Sequence, residues 1–136
     1  MAVGQKKLGM EEGNLVRSMT AMGGGMVSRG GPCGALTGAV ALLGRLLGRE
    51  EPEGKDDPVL WEACREFYTR FETEVAGRYE SVNCRDMTGV DWSDRDQRRA
   101  FYKGEGLVEC RNNTGKAARI LGEILEKYLD EKGNKK

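Results

Sequence analysis

The sequence contains no histidine. This absence excludes a Ser-His-Asp triad, a Cys-His catalytic pair, a histidine-ligated haem and a mixed Cys/His zinc site. Any chemistry must therefore depend on cysteine, carboxylate, lysine, arginine or tyrosine side chains. Among these, the four cysteines are the groups best suited to redox or metal chemistry.

The chain also lacks an excess of either charge and a long apolar run. Its 22 lysines and arginines balance 22 aspartates and glutamates, whereas nucleic acids and anionic membranes select a basic excess. The longest apolar stretch, residues 35–48, contains Arg45 and is too short to span a bilayer, and residues 1–13 have no signal-peptide core. We therefore expect a cytoplasmic protein with no membrane insertion and no nucleic-acid partner. Because cytoplasmic thiols are normally reduced, the cysteines favour metal or redox chemistry over structural disulfides.

Helical periodicity dominates the pattern of apolar residues, and no segment has a strong strand signal. With 136 residues, 38% of them hydrophobic and 32% charged, the chain fits one globular domain. We expect an all-α fold, a small bundle of four to five helices with a glycine-rich turn before the second helix. The predicted helices span residues 11–22, 32–48, 58–79, 93–101 and 107–132, with Ser93 or Asp94 as the cap of the fourth.

Three further expectations concern the ends and the last helix. Residues 1–10 and 133–136 are expected to fray. The sequence NNTG, residues 112–115, is expected to weaken or kink the last helix. Methionines on one face of the first predicted helix favour coverage by a second subunit, which predicts a homo-oligomer.

Residues 23–38 contain seven glycines and one cysteine. If Gly31 caps the second helix, Pro32 is its first residue and Cys33 its second. The unpaired N–H groups and the positive dipole end there favour a thiolate, so we expect Cys33 to titrate below about 8.5. Arg29 could add positive charge. Gly31, Gly34 and Gly38 would let backbone approach a bound cofactor closely.

Two other interpretations of this stretch stay open. A phosphate cradle is disfavoured, because the lysine and hydroxyl of the Walker motif do not follow the last glycine. A structural interpretation is stronger. Gly34 and Gly38 are four residues apart and could let another helix pack closely, with Cys33 as a small buried side chain.

The other cysteines are widely spaced, so no CxxC motif, zinc ribbon or ferredoxin loop is present. Cys110 is in phase with the apolar face of the last helix and is expected to point inward, as Cys33 is. Cys84 lies in a polar segment beside Arg85, which would favour its thiolate. Cys64 lies on an apolar face, where a core role is favoured over a ligand role.

Two weaker candidates for metal binding are a group of methionines and a group of aspartates. Met19, Met22 and Met26 could form a soft copper(I) site, although methionines at helical spacing more often belong to a core. Asp91, Asp94 and Asp96 could bind a hard cation but are better explained as a solvated helix cap.

Three stretches together resemble the C_GCAxxG_C_C family, whose members are regarded as redox-active because of their cysteines. They are residues 23–49, 82–91 and 108–121. The central box of the family is similar to Cys33, Gly34, Ala35 and Gly38. Its third and fourth cysteines are similar to Cys84 and Cys110.

The resemblance implies a small helical prokaryotic protein with a redox role, but no named substrate or cofactor. The first cysteine of the family lies on a helix ahead of the glycine-rich turn and has no counterpart here. Either the N-terminus is shortened or this member lacks that position, and Cys64 could replace it in space. A four-thiolate site is thereby disfavoured, whereas a disulfide or three-cysteine arrangement is not.

Three functions remain in competition. The first is a thiol-based redox or electron-transfer accessory protein that serves an unidentified partner protein, in which Cys33 forms a reversible disulfide with Cys84 or Cys110. The second is a protein that binds zinc or an iron–sulfur cluster through Cys33, Cys84 and Cys110, with or without Cys64. The third is a non-catalytic helical interaction domain.

Overall fold

The computed structural model describes residues 2–10 and 13–133, with side chains up to residue 128. Within these residues the fold is all-α, as predicted, and the only sheet-like pairing is a single bridge. The seven α-helices exceed the four to five expected. They are α1 (Ala2–Lys7), α2 (Gly13–Ser18), α3 (Gly34–Leu47), α4 (Pro58–Arg70), α5 (Cys84–Thr88), α6 (Arg95–Lys103) and α7 (Glu105–Gly133).

The main core lies between α3, α4 and α7, whose apolar faces follow the predicted helical spacing. Leu42, Leu43 and Phe67 are fully buried there, together with Ile120 and Ile124 of α7. Burial of such side chains is worth about 1.5–3 kcal/mol each, so this cluster is the main source of stability.

Helix α4 begins as its sequence predicts and changes character near its end. Asp57 caps it by accepting a hydrogen bond of 2.9 Å from the N–H of Val59, and Pro58 occupies the first turn. A π-helical turn, Phe71–Val75, and a 3₁₀ turn, Gly77–Tyr79, carry the chain to the predicted end of this helix. The π-turn brings Phe71 into the core beside Phe67, with ring centroids 6.2 Å apart.

A second, smaller core joins α5 and α6 to the start of α7. It contains Cys84, Val90, Trp92 and Phe101, and the Trp92 and Phe101 rings meet edge to face at 5.1 Å. Asp94 caps α6 and accepts hydrogen bonds from two backbone N–H groups, as predicted for this position. This cluster holds Cys84 against α7.

The N-terminal half differs most from the expectations. Ala2–Lys7 is helical where fraying was expected, because Gly4 packs closely against Leu42 and Leu121. The predicted helix 11–22 is divided into α2 and a 3₁₀ turn, Thr20–Met22, and residues 11 and 12 lie outside the described residues.

The last helix is continuous through residues 112–115, where a kink was expected. Fraying was expected for residues 133–136, but Gly133 is the last residue of α7, and residues 134–136 lie outside the described residues. Across the described part of the chain, no helix is long and apolar enough to cross a membrane.

Candidate functional site

The glycine-rich stretch forms a left-handed turn. Five consecutive residues, 24–28, have φ between +47° and +72°. Gly24 and Gly25 adopt this conformation freely, and a Cβ at Gly25 would collide with the backbone of residues 30 and 31. Met26, Val27 and Ser28 are strained there, Val27 most of all because β-branched residues rarely enter this region. The turn is closed by a hydrogen bond of 2.9 Å from the Gly31 N–H to the Gly25 carbonyl.

The turn leads into an antiparallel bridge between Pro32 and Asn83. The Cys33 N–H donates to the Val82 carbonyl at 2.9 Å, and the Cys84 N–H donates to the Gly31 carbonyl at 2.7 Å. These two bonds flank the Pro32–Asn83 pair, so proline occupies a position that requires no N–H. The bridge fixes the two cysteine-bearing segments side by side.

Arg85 adds a second attachment to the same stretch. Its N–H donates to the Gly30 carbonyl at 3.1 Å, and its guanidinium donates to the Arg29 carbonyl at 3.1 Å. Gly30 has φ of +74°, and a Cβ there would be 2.7 Å from the Arg85 Cβ. Glycine is therefore required at this contact.

Cys33 is the N-cap of α3, whereas the sequence predicted it as the second helical residue and Gly31 as the cap. The reason is the bridge, which keeps the backbone extended through Cys33, with ψ of 133°. Its carbonyl accepts the first helical bond, from the Thr37 N–H at 3.1 Å, and its side chain makes no capping hydrogen bond. The thiol is nevertheless carried at the N-terminus of α3.

Three of the four cysteines line one cavity of about 40 Å³, which we call the thiol cavity. Cys33 comes from the start of α3, Cys84 from the start of α5 and Cys110 from the second turn of α7. The cavity has room for a water molecule or two. The remaining lining residues are Met87, Thr88, Gly106, Glu109 and Asn113.

Burial and mutual repulsion keep two of these thiols protonated. Burial, then the proximity of Cys33 and Cys110, raises the pKa of Cys84 to about 12, against hydrogen bonds with Thr88 and Trp92 that lower it. Burial and then Cys33 also raise the pKa of Cys110. The expectation that Arg85 favours a Cys84 thiolate is therefore wrong, because burial outweighs any nearby positive charge and raises the pKa of Cys84. The Arg85 guanidinium donates to the Arg29 carbonyl instead.

A polar network that the sequence analysis missed forms one wall of the thiol cavity. The Tyr79 hydroxyl donates to Glu109 Oε1 at 2.5 Å and accepts from the Asn113 side-chain amide at 3.0 Å. Arg78 pairs with the same carboxylate. Asn113 is only 6% exposed. The sequence feature that could have indicated this network is Asn113 itself, a polar residue three positions after Cys110 and therefore on the same face of α7.

The three cysteines also line the floor of an open groove of about 490 Å³, which we call the thiol groove. Trp92 and Tyr102 stand on one side, with ring centroids 6.3 Å apart. Of the three glycines predicted to approach a cofactor, Gly34 and Gly38 line this groove and Gly31 does not. At Gly34 the close neighbour is the Met22 carbonyl, 3.2 Å from where a Cβ would lie.

Cys64 is separate from the other three. It packs against the main core, its pKa is raised by burial, and it lines neither the thiol cavity nor the thiol groove. This placement matches the core role favoured by its sequence context.

The structure offers no set of ligands for the zinc, iron–sulfur, copper or hard-cation sites considered above, within the residues that it describes. Among the described residues, no group of three or more Cys, Asp or Glu side chains is arranged to hold a metal ion. Met19 and Met22 line the thiol groove, whereas Met26 lies outside it and is 46% exposed. Asp91 accepts hydrogen bonds from Ser93, and Asp94 caps α6, as a solvated cap region would.

Comparison with known proteins gives one match. Residues 1–124, which include all four cysteines, match the model of the family described as "Putative redox-active protein (C_GCAxxG_C_C)". No curated protein and no solved structure matches the chain.

Proposed function

The chain belongs to the C_GCAxxG_C_C family, and from this premise we propose that it is a thiol-based redox protein in which Cys33 and Cys84 form a reversible disulfide. One observation carries the proposal: three thiols from distant segments line one small cavity at the floor of an open groove. All four cysteines are free thiols in this structure, which corresponds to the reduced form. In the cytoplasm, where we place the protein, that form is the resting one.

The bridge favours Cys84 over Cys110 as the partner of Cys33. Side chains alternate across an extended backbone, so Cys33 and Cys84, each next to the Pro32–Asn83 pair, project to the same face. Such diagonal neighbours have Cα atoms roughly 7–8 Å apart, at or just beyond the limit of about 7 Å for a disulfide. The disulfide therefore requires a movement of the backbone that brings the two segments closer.

The reaction is a two-step thiol–disulfide exchange. The Cys33 thiolate attacks a disulfide of the partner, forms a mixed disulfide and releases the first thiolate, which takes up a proton. The Cys84 thiol then loses its proton, its sulfur attacks the Cys33 sulfur, and the second partner thiolate leaves. The net change is one partner disulfide reduced to two thiols and one protein dithiol oxidised to a disulfide, with two electrons transferred.

Cys33 and Cys84 differ in access, and this difference assigns their roles. Cys33 is half-buried and lies at the N-terminus of a helix, whereas Cys84 is 8% exposed and strongly protonated. Attack on an external disulfide suits the accessible thiol, and resolution suits the buried one. The Glu109 carboxylate lines the same cavity and is the acceptor for the proton that leaves Cys84.

A free-thiol count under oxidation tests the proposal. Treatment with excess bis(2-hydroxyethyl) disulfide should lower the count from four to two, and a reductant should restore it. Cys33→Ser should abolish the stable loss of two thiols, whereas Cys64→Ser, the matched control outside the cavity, should keep it. Four unreactive thiols in the wild-type protein would contradict the proposal, as would a loss of two thiols that Cys64→Ser abolishes and Cys33→Ser does not.

A further inference from the structure

We infer that the disulfide accepted by Cys33 belongs to a small, uncharged aliphatic or aromatic molecule. The inference rests on the proposed function and goes beyond it, because it names the substrate class. Its basis is the chemical character of the thiol groove, the open groove whose lining includes all three cysteines.

The described lining of the thiol groove is built entirely from glycine, apolar, hydroxyl and cysteine side chains. A carboxylate or ammonium group bound among them would lose part of its hydration without gaining an ionic partner from the described lining, which is costly. The principal walls are Val16, Met19, Met22, Trp92, Tyr102 and Leu107.

These walls suit an apolar ligand in shape as well as in charge. A volume of about 490 Å³ lies within the range of small-molecule sites. Met19 and Met22 have flexible thioether side chains that adapt to irregular ligands, and the Trp92 and Tyr102 rings offer flat apolar surfaces. The groove can therefore bind an aliphatic or aromatic disulfide through apolar contacts alone.

The rim of the groove is apolar and open to solvent. Val16 is 42% exposed and Tyr102 is 59% exposed. A cluster of exposed apolar side chains around buried reactive groups is typical of a binding site rather than of an ordinary surface.

Another open cleft of similar volume, about 450 Å³, provides a contrast. It is lined by Glu72 and Glu80 and contains no cysteine. Charged side chains thus line a cleft without thiols, whereas the described lining of the thiol groove is uncharged. The carboxylate nearest to the thiols, Glu109, lines the thiol cavity and is already paired with Arg78.

The test compares three disulfides of similar size and different charge. Reduced protein is mixed with neutral bis(2-hydroxyethyl) disulfide, dianionic 3,3′-dithiodipropionate or dicationic cystamine, and oxidation is followed by free-thiol count. Each rate constant is divided by that of the same disulfide with free N-acetylcysteine amide, which removes intrinsic reactivity. We expect the normalised rate for the neutral compound to exceed both others by about tenfold or more.

A charge placed in the groove should alter this order. Met19→Lys should lower the normalised rate of the neutral compound and raise that of the dianion. Val108→Lys, a matched control on an exposed part of α7 outside the groove, should leave the order unchanged. If Met19→Lys fails to fold by circular dichroism, Met22→Lys serves the same purpose.

The possible failures are distinguishable. Equal normalised rates, or a preference for either charged compound in the wild-type protein, would overturn the inference about substrate class and leave the redox function standing. No reaction with any of the three disulfides, with four thiols free, would overturn the redox function itself.

Discussion

Cys33 and Cys84 are held together through their backbones: each donates its N–H to the segment that carries the other, on either side of the Pro32–Asn83 pair. The two residues are 51 positions apart in sequence, and this bridge brings their side chains to one cavity. The left-handed turn before the bridge sets the direction in which the chain enters it. Changes at the turn and the bridge should therefore affect thiol chemistry as well as stability.

Gly30→Ala should weaken the attachment of the Cys84 segment. Gly30 has φ of +74°, and the new Cβ would meet the Arg85 Cβ at 2.7 Å. We expect a loss of about 1–3 kcal/mol in the free energy of unfolding and slower formation of the Cys33–Cys84 disulfide. Urea unfolding and the thiol count measure the two effects.

Gly115→Ala is the control for that change. Gly115 lies within α7, and a Cβ added there would meet no other atom within 4 Å, so alanine should stabilise the helix by about 0.5–1 kcal/mol. Equal stabilities for the two variants would show that the contact between Gly30 and Arg85 does not hold the site.

Val27→Asn should stabilise the protein. Val27 is 68% exposed and has φ of +47°, a conformation that asparagine tolerates far better than a β-branched residue. We expect a gain of about 1 kcal/mol in the free energy of unfolding. Val3→Asn, at a 65% exposed position in α1, should give no gain. A loss of stability in Val27→Asn would mean that the turn is not strained at this residue.

Cys84 should react slowly with iodoacetamide at pH 8. Its pKa of about 12 leaves roughly a thousandfold fewer thiolates than a pKa near 9 would, and its greater intrinsic nucleophilicity recovers roughly thirtyfold. We therefore expect alkylation at least about thirtyfold slower than at an ordinary thiol, before any effect of access. Peptide mass spectrometry after timed labelling gives the rate at each cysteine.

The same pKa has a consequence for stability. A thiol whose pKa is raised in the folded state keeps its proton there after the unfolded chain has lost it. Stability from this group is thus complete below about pH 9 and declines as the pH rises toward about 12. Cys84→Ser should show a shallower decline over this window, and an identical decline would place the Cys84 thiol outside the buried environment described here.

Glu109→Gln should slow the resolving step, because the amide cannot take the proton that leaves Cys84. Glutamine still accepts the hydrogen bond from Tyr79, so the network should persist. The mixed disulfide on Cys33 should accumulate and be visible as an added mass. Glu105→Gln, an exposed position at the start of α7, should leave the course of the reaction unchanged. Equal behaviour of the two variants would remove Glu109 from the mechanism.

Local patterns were sufficient to predict the long helices, and long-range contacts explain what they missed. Asp57, Pro58 and Asp94 begin α4 and α6 through interactions within a few residues. The start of α3, in contrast, depends on Asn83, and nothing near Pro32 in the sequence indicates that bridge. Likewise, α1 is held by the contact of Gly4 with Leu42 and Leu121, which no local pattern encodes.

The candidate site follows the same division. The glycine and cysteine pattern predicted Cys33, Cys84 and Cys110 as the site residues and kept Cys64 only as a further ligand, and the structure brings the first three to one cavity. The sequence was a poorer guide to the pKa values of the thiols, because it shows only which charged residues are neighbours along the chain. Arg85 adjoins Cys84 but bonds to the Arg29 carbonyl, and the burial that governs the Cys84 pKa arises from Trp92 and α7.

The most direct test of the central claim is a non-reducing tryptic map of the protein after oxidation by bis(2-hydroxyethyl) disulfide. Cleavage after lysine and arginine places the four cysteines on separate peptides, residues 30–45, 56–65, 79–85 and 104–111. We predict one linked species, which joins 30–45 to 79–85 and disappears on reduction. A map with no link between these two peptides, or with peptide 56–65 in the principal link, would contradict the account.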